Sequence, residues 1–419
     1  MQEFARNIVQ NSAAAIEPLA NLHHSQGETV ILRSCGPTSR LRHLLRFGLD
    51  ETVVRTLEKA DDITLSQLDR IIGRPLTPQC HARAALSFSD GGLGLTLLRN
   101  IDRNAQSSSA RESAVGVLRE AAAIESTAST ELLFAIDAVA ARPTPAPMDP
   151  QQLRPSHIGN EVGVLCESAR APHASDFLLA SPGPDTTLDD ATFRDALWMR
   201  FALPAAAGHE DCTPGRSNDP IGLHRLGCSR AAGLRTRRHD EMVSVLLKAA
   251  NTADPTAFRV AKEERFGDDE ESQRRPGDMA LNLGIGRTLV DLTVASPFSA
   301  ACNSAMRFAG SPAVAAEKAY ERKMHGWNSL LGSNMLEPET ISSSFVPLAV
   351  TALGVWDDRS LRWLRHFSDV CAASTGEIQG TYFSSLMVRL SVALWRGNSR
   401  MLRSLRTASE YSSDSSEFC

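Results

Sequence analysis

Apolar residues along this chain follow two spacings, and the change between them divides it. Ahead of residue 141 they fall three and four apart: Leu41, Leu44 and Leu45, then Val53, Val54 and Leu57, then Leu65, Leu68, Ile71 and Ile72. That period belongs to amphipathic helices. Residues 1–141 are therefore expected to form a helical region, with Asp62 or Thr64 capping a new helix after Lys59 and Ala60, and a break at Gly91-Gly92-Leu93-Gly94. Residues 142–190 lose the period. Rich in Pro, Ser, Asp and Ala, they have the composition of a linker.

Beyond residue 190 the pattern resumes. Asp189 and Asp190 open a short helix carrying Phe193, Leu197 and Phe201, at the start of a polar segment over 191–233. A longer helix follows, with Met242, Val245, Leu246 and Ala249 on one stripe and Thr236 as its N-cap. Residues 258–262 read as a strand, and 274–294 as a β-hairpin of two apolar runs. Ser311 and Pro312 start a helix whose stripe runs through Ala316, Tyr320, Met324, Trp327 and Leu331, and residues 344–350 make a last strand. The order over 234–370 is helix, three strands, helix, strand. A further helix over 371–407 and a tail at 408–419 too polar to bury complete an α+β, multidomain chain.

The hairpin carries the chemistry. Gly284 stands first in a two-residue turn of the type II′ kind, so Leu283 pairs with Gly286. Counting outward sets Asp278 opposite Asp291, with Cβ atoms about 5 Å apart on one face. Like charges this close call for a divalent cation or a shared proton, unless both simply end their strands in solvent. Asp291 sits inside Leu-Val-Asp-Leu-Thr-Val, where a solvated face more commonly shows Thr, Lys or Glu. On the following helix, at about 100° per residue, Lys323 lies roughly 60° from the centre of the stripe and Lys318 roughly 160°. Lys323 is thus the one to reach inward.

Composition narrows the classes. Aromatics are 5% and hydrophobic residues 42%, so the cores must be built from Leu, Val and Ala. A formal net charge of −5 excludes a uniformly basic coat, and any nucleic-acid surface has to be local. The eight cysteines show no framework spacing, and neither a signal peptide nor a run of 18 apolar residues occurs, which fits a reduced intracellular protein with no membrane partner. Two clusters stand out. His209, Cys212, His224 and Cys228 can close a tetrahedral zinc site, or belong to a loop with two unconnected thiols. Arg235, Arg237 and Arg238 gather at a helix start, where a phosphate is favoured, or are solvated charges.

The αβββαβ order, with Glu241 in the first helix, Pro276-Gly277-Asp278 at the second strand and Asp291 on the third, resembles the PD-(D/E)XK restriction-endonuclease fold. More narrowly, Cys212, His224, Cys228, Arg238-His239-Asp240, Arg275-Pro276-Gly277-Asp278, residues 290–297 and Phe345-Val346-Pro347-Leu348 run collinear with the C-terminal region of non-LTR retrotransposon polyproteins. There a zinc knuckle and a restriction-like endonuclease follow the reverse transcriptase. Leu32-Arg33-Ser34-Cys35-Gly36 and residues 41–46 and 91–95 are similar to the segment after the polymerase palm. Lys59-Ala60-Asp61-Asp62 matches the letters of the polymerase motif but lies between helical patterns, not in a hairpin.

The resemblance implies Mg²⁺- or Mn²⁺-dependent nicking of DNA to prime reverse transcription, with element RNA as a further partner and a nuclear location. Asp278 and Asp291 would hold the metal and Lys323, with Lys318 as substitute, would orient the water. Thr293 stands where the family's strand lysine usually lies. Glu241 would add a ligand or support one, Arg237, Arg238 and His239 would meet the DNA backbone, and His209, Cys212, His224 and Cys228 would hold zinc. With no palm ahead of residue 1, the chain is expected to be a truncated or decayed element product. Two other classes stay open, a non-catalytic nucleic-acid-binding module and an inert remnant.

Overall fold

The computed structural model describes residues 2–38, 51–97, 161–204, 221–228, 231–253, 261–262, 277–282, 287–298, 311–331 and 344–404. Two compact units divide the chain, the first comprising residues 1–87 and 92–154, the second 88–91 and 155–419. Both units are mostly helical, and the second adds a mixed sheet, which makes the protein α+β. The hairpin turn, His209, Cys212 and the 408–419 tail lie outside the described residues, as does the acidic run Asp268-Asp269-Glu270-Glu271 ahead of the hairpin.

The first unit contains α1 (Gln2–Ile16), α2 (Ser25–Cys35), α3 (Glu51–Ile72) and α4 (Pro78–Ala84). Leu65, Leu68, Ile71 and Ile72 are buried, as their spacing requires. The expected start of a new helix near Asp62 is corrected: α3 runs through it without a break. Thr64 does not cap but donates its hydroxyl to Ala60 O at 2.9 Å inside the helix, a bond available to any Thr four residues on.

In the second unit the described elements are α5 (Glu161–Arg170), α6 (Asp190–Arg200), α7 (Ala232–Ala253), β1 (Ala261–Lys262), β2 (Met279–Asn282), β3 (Arg287–Ala295), α8 (Val314–Leu331), β4 (Ser344–Thr351), α9 (Asp358–Thr375) and α10 (Gln379–Arg403). The sheet order is β1-β2-β3-β4, antiparallel except for the parallel β3–β4 pair that α8 connects. The strand alternation sorts side chains cleanly. Met279, Leu281, Val290 and Leu292 join Leu348 and Val350 against α7, α9 and α10. Ala280 and Leu289 face α8, where Trp327 stacks on Phe345 at 4.8 Å between ring centroids. A two-residue period therefore turns Asp291, between Val290 and Leu292, toward α8.

Three domain assignments need correction. Residues 161–190 are not linker: α5 and the turn Asp176–Leu178 pack into the second unit, where Phe177 meets Trp395 of α10 and its N–H donates to Ser391 Oγ at 3.1 Å. A Pro- and Ser-rich composition hid a buried face made of only a few residues. Likewise α10 is not an appendage to a 234–370 domain but its centre, packing on α6, α7 and α9. The 191–233 segment is not separate either, since Asp195 of α6 accepts hydrogen bonds from Ser399 and Arg403 of α10.

Helix α7 begins at Ala232, so Thr236 lies inside its second turn and does not cap it. The helix packs tightly on α10 at Gly397. A Cβ built there would lie 2.5 Å from Arg238 Cβ and nearer still to its Cγ. Exchange of Gly397 for Ala is expected to cost about 1–3 kcal/mol of stability through overpacking. Gly380→Ala in the same helix, where a Cβ meets nothing within 4 Å, should instead be neutral or stabilising by up to about 1 kcal/mol. Urea unfolding of the two variants reads the contrast, and equal effects would show that the α7–α10 approach is not tight.

Candidate functional site

Asp278 and Asp291 reach the same place by the register expected of the hairpin. Met279 pairs with Val290 and Asn282 with Arg287, the register expected; Asp278 stands just beyond the last pair of the ladder, beside Asp291. Asp278 sits just ahead of β2, its N–H donating to Val290 O at 2.8 Å. Its carboxylate then takes over the ladder: Oδ2 accepts the Leu292 N–H at 2.7 Å. Both aspartates line an open cleft of about 360 Å³ together with Arg235, Arg238, His239, Thr293 and Lys323.

Each carboxylate has its own cation. Lys323 Nζ lies 2.7 Å from Asp291 Oδ2, reaching inward from the edge of α8 as its helical angle requires. His239 Nε2 lies 2.9 Å from Asp278 Oδ2 and 3.0 Å from Leu292 O, while Nδ1 faces Asp240 Oδ1 at 3.1 Å. Acceptors therefore meet both ring nitrogens, the environment of an imidazolium. Burial alone would push His239 down, but the hydrogen bond and charge of Asp278, with Asp240 and Leu292 O, outweigh it and raise its pKa to about 9. Asp291 is held above the ordinary carboxylate range, chiefly because it is buried, with Lys323 opposing and Asp278 reinforcing the shift.

Other residues singled out by sequence go elsewhere. Glu241 is not among the side chains lining the cleft; Arg400 Nη1 donates to its two oxygens at 2.6 and 2.7 Å and Arg237 Nε to Oε1 at 3.3 Å. Arg237 is exposed and committed to that pair. Arg238 is 2% exposed, its Nη1 donating to Asn398 Oδ1 at 2.8 Å, so it does not stand on the open surface but lines the cleft from its base. Lys318 is exposed on α8 and does not line the cleft. His224 lies in the turn Leu223–Gly227, with Cys228 buried just after it. Sequence reasoning missed Asp240, Asn398 and Arg400 as partners. Asp240 had a signal, being next to His239, but Asn398 and Arg400 stand some 160 residues from the helix they hold.

Among the described residues no three His, Cys, Asp or Glu side chains cluster as a metal site. The pair Asp278 and Asp291 suits a hard cation of the magnesium kind, which keeps several waters and takes one or two carboxylates from the protein. Burial, reinforced by the neighbouring Asp278, is what raises Asp291, and a cation at the pair would favour its charged form. No helix among the described residues is long and apolar enough to cross a membrane. No protein-family model matches the chain and no curated protein matches it. Function must therefore be argued from the cleft.

The His239 contacts have a pH signature. A pKa raised from 6.5 to about 9 contributes stability that is complete below pH 6.5 and lost as pH rises through 9. Between pH 6 and 10 the wild-type chain should lose about 2 kcal/mol more than His239→Gln loses, as read by urea unfolding. Parallel losses in the two proteins would mean that His239 is neutral in the fold.

Proposed function

We propose that the cleft is a metal-dependent phosphodiesterase site of the PD-(D/E)XK kind, and that the chain is a retrotransposon-derived DNA endonuclease that nicks one strand. The observation that carries this reading is the convergence of Asp278, Asp291 and Lys323 on one open cleft from three separate elements. A carboxylate pair with a lysine beside it is the set that hydrolysis of a phosphodiester requires: hard ligands for a divalent ion and a cation for the charge that develops. An Mg²⁺ or Mn²⁺ ion held by Asp278 and Asp291 would supply Lewis acidity at the phosphate and an acidified water.

The remaining roles fall to residues of the chain. Lys323, released in part from Asp291, orients the attacking water and stabilises the charge on the phosphate. His239 and the Leu292 N–H fix one oxygen of Asp278, leaving the other turned to its task. Thr293 lines the cleft from the strand position that holds lysine in the resembled fold, which accounts for a lysine supplied by the helix instead. Glu241, occupied by Arg400 and Arg237, takes no part in this scheme.

One observation favours a second reading, a nucleic-acid-binding module without catalysis. Both carboxylates already have protein cations, so the cleft is electrostatically satisfied without a metal. Nicking of supercoiled plasmid separates the two. With Mg²⁺ or Mn²⁺ the wild-type chain should nick, and Asp291→Asn and Lys323→Ala should each be slower by on the order of 10²–10³ at equal folded concentration. Absence of nicking by folded wild-type protein under both metals would sink the endonuclease and leave the binding module.

A further inference from the structure

One wall of the cleft is used by the chemistry just described only at His239. Ala232, Arg235, Thr236 and His239 follow one another at helical spacing, so the first two turns of α7 present a single stripe to the cleft, and Arg238 lines it as well. His239 and Lys323 have carboxylate partners; among the described residues the two arginines do not. Arg235 is exposed and makes no ion pair among the described residues. Arg238 is 2% exposed, its one hydrogen-bonding partner among the described residues is the neutral amide of Asn398, and its Nε is buried with no partner.

A buried guanidinium without an anion is an expensive arrangement. Its neighbour makes it worse: burial and then the charge of Arg235 hold Arg238 down to about 10. Asn398 cannot answer this, because an amide supplies a dipole and no counter-charge. An anion between the two guanidinium groups would relieve their repulsion, and guanidinium geometry suits the oxygens of a phosphate. The positive end of α7 acts in the same direction.

We propose that Arg235 and Arg238 seat a backbone phosphate of the nucleic-acid strand in the cleft, beside the one that faces Asp278 and Asp291. This rests on the cleft being a nucleic-acid site. It assigns the contact to Arg235, at the mouth, and to Arg238, at the base, whereas Arg237 is turned away to Glu241. Phosphate contact fixes register without reading sequence, so the seat determines which phosphodiester meets the carboxylates.

Binding of a fluorescent duplex oligonucleotide by the full chain in EDTA, over a range of salt concentrations, tests the seat apart from catalysis. Each phosphate contact adds close to one to the slope of log affinity against log salt. Arg235→Ala is a surface change, and it should lower that slope by about one. Lys248→Ala removes a charge from the far end of α7, where Lys248 pairs with Asp185, and should leave the slope as in the wild type. Arg238→Lys keeps the buried charge but loses the planar fork, and should weaken binding with the protein still folded.

A wild-type slope for Arg235→Ala, equal losses in the Arg235 and Lys248 variants, or no binding of the duplex by the wild type overturns the proposal. So does stabilisation by inorganic phosphate that depends on Arg235 while duplex binding does not, since the seat would then serve a small free anion. An Arg235-dependent slope without nicking keeps the seat and removes the endonuclease. Nicking that is indifferent to Arg235 does the reverse.

Discussion

The buried contact between Arg238 and Asn398 is what the geometry of the second unit depends on. Arg238 comes from α7, Asn398 from α10, and the Asn398 amide donates onward to Ala352 O just past β4 at 2.7 Å. One asparagine therefore ties the site helix, the central helix and the end of the sheet together. Gly397, beside it, allows the helices close enough for the bond to form. The net worth of a neutral–charged hydrogen bond is modest, about 1.5–3 kcal/mol, but leaving either partner buried and unmade costs as much again. That asymmetry fixes the rotation of α7 about its axis. Given that rotation, His239, one residue on, meets Asp278, and Arg235, one turn back, faces the cleft.

Charge pairing inside the cleft follows from the same placement. Two carboxylates at the end of a β-ladder repel, and burial of Asp291 raises the cost further. The chain answers with a cation from each flanking layer: His239 from α7 on one side of the sheet and Lys323 from α8 on the other. Neither pair is deeply enclosed, with Lys323 about a third exposed and His239 about a quarter. Solvent screening keeps each weak enough to rearrange when a ligand enters. A pair sealed in the core would hold the apoprotein equally well and would be of no use to a site.

What the sequence revealed and what it hid divide along physical lines. Hairpin register is a local property: once the turn is placed between Leu283 and Gly286, the pairing of Met279 with Val290 is arithmetic. Helical angle is local too, and it was enough to separate Lys323 from Lys318. The carboxylate pair and its lysine were legible for that reason. Glu241 and Arg238 were not, because their environments are set by α10, some 160 residues away, and a short pattern cannot distinguish an arginine that meets solvent from one that packs on a glycine. The same limit explains 161–190. Its polarity suggested a linker, but Phe177 and Leu178 are buried, Phe177 against Trp395 of a helix that local reading placed outside the domain.

The overall charge of −5 is a poor guide to the cleft. Among the described residues four cationic side chains line it, Arg235, Arg238, His239 and Lys323, against the two carboxylates of Asp278 and Asp291. Even with Asp240 counted behind His239, the lining keeps an excess of positive charge. A low-dielectric wall concentrates that excess, so an acidic protein can present a locally positive groove to a polyanion. The unpaired charge is not spread over the cleft: it lies with Arg235 and Arg238, while the cations nearest the carboxylates are already engaged. On the proposed function, attraction for a strand and the chemistry on it fall to different residues, so change at Asp278, Asp291 or Lys323 would leave Arg235 and Arg238 in place.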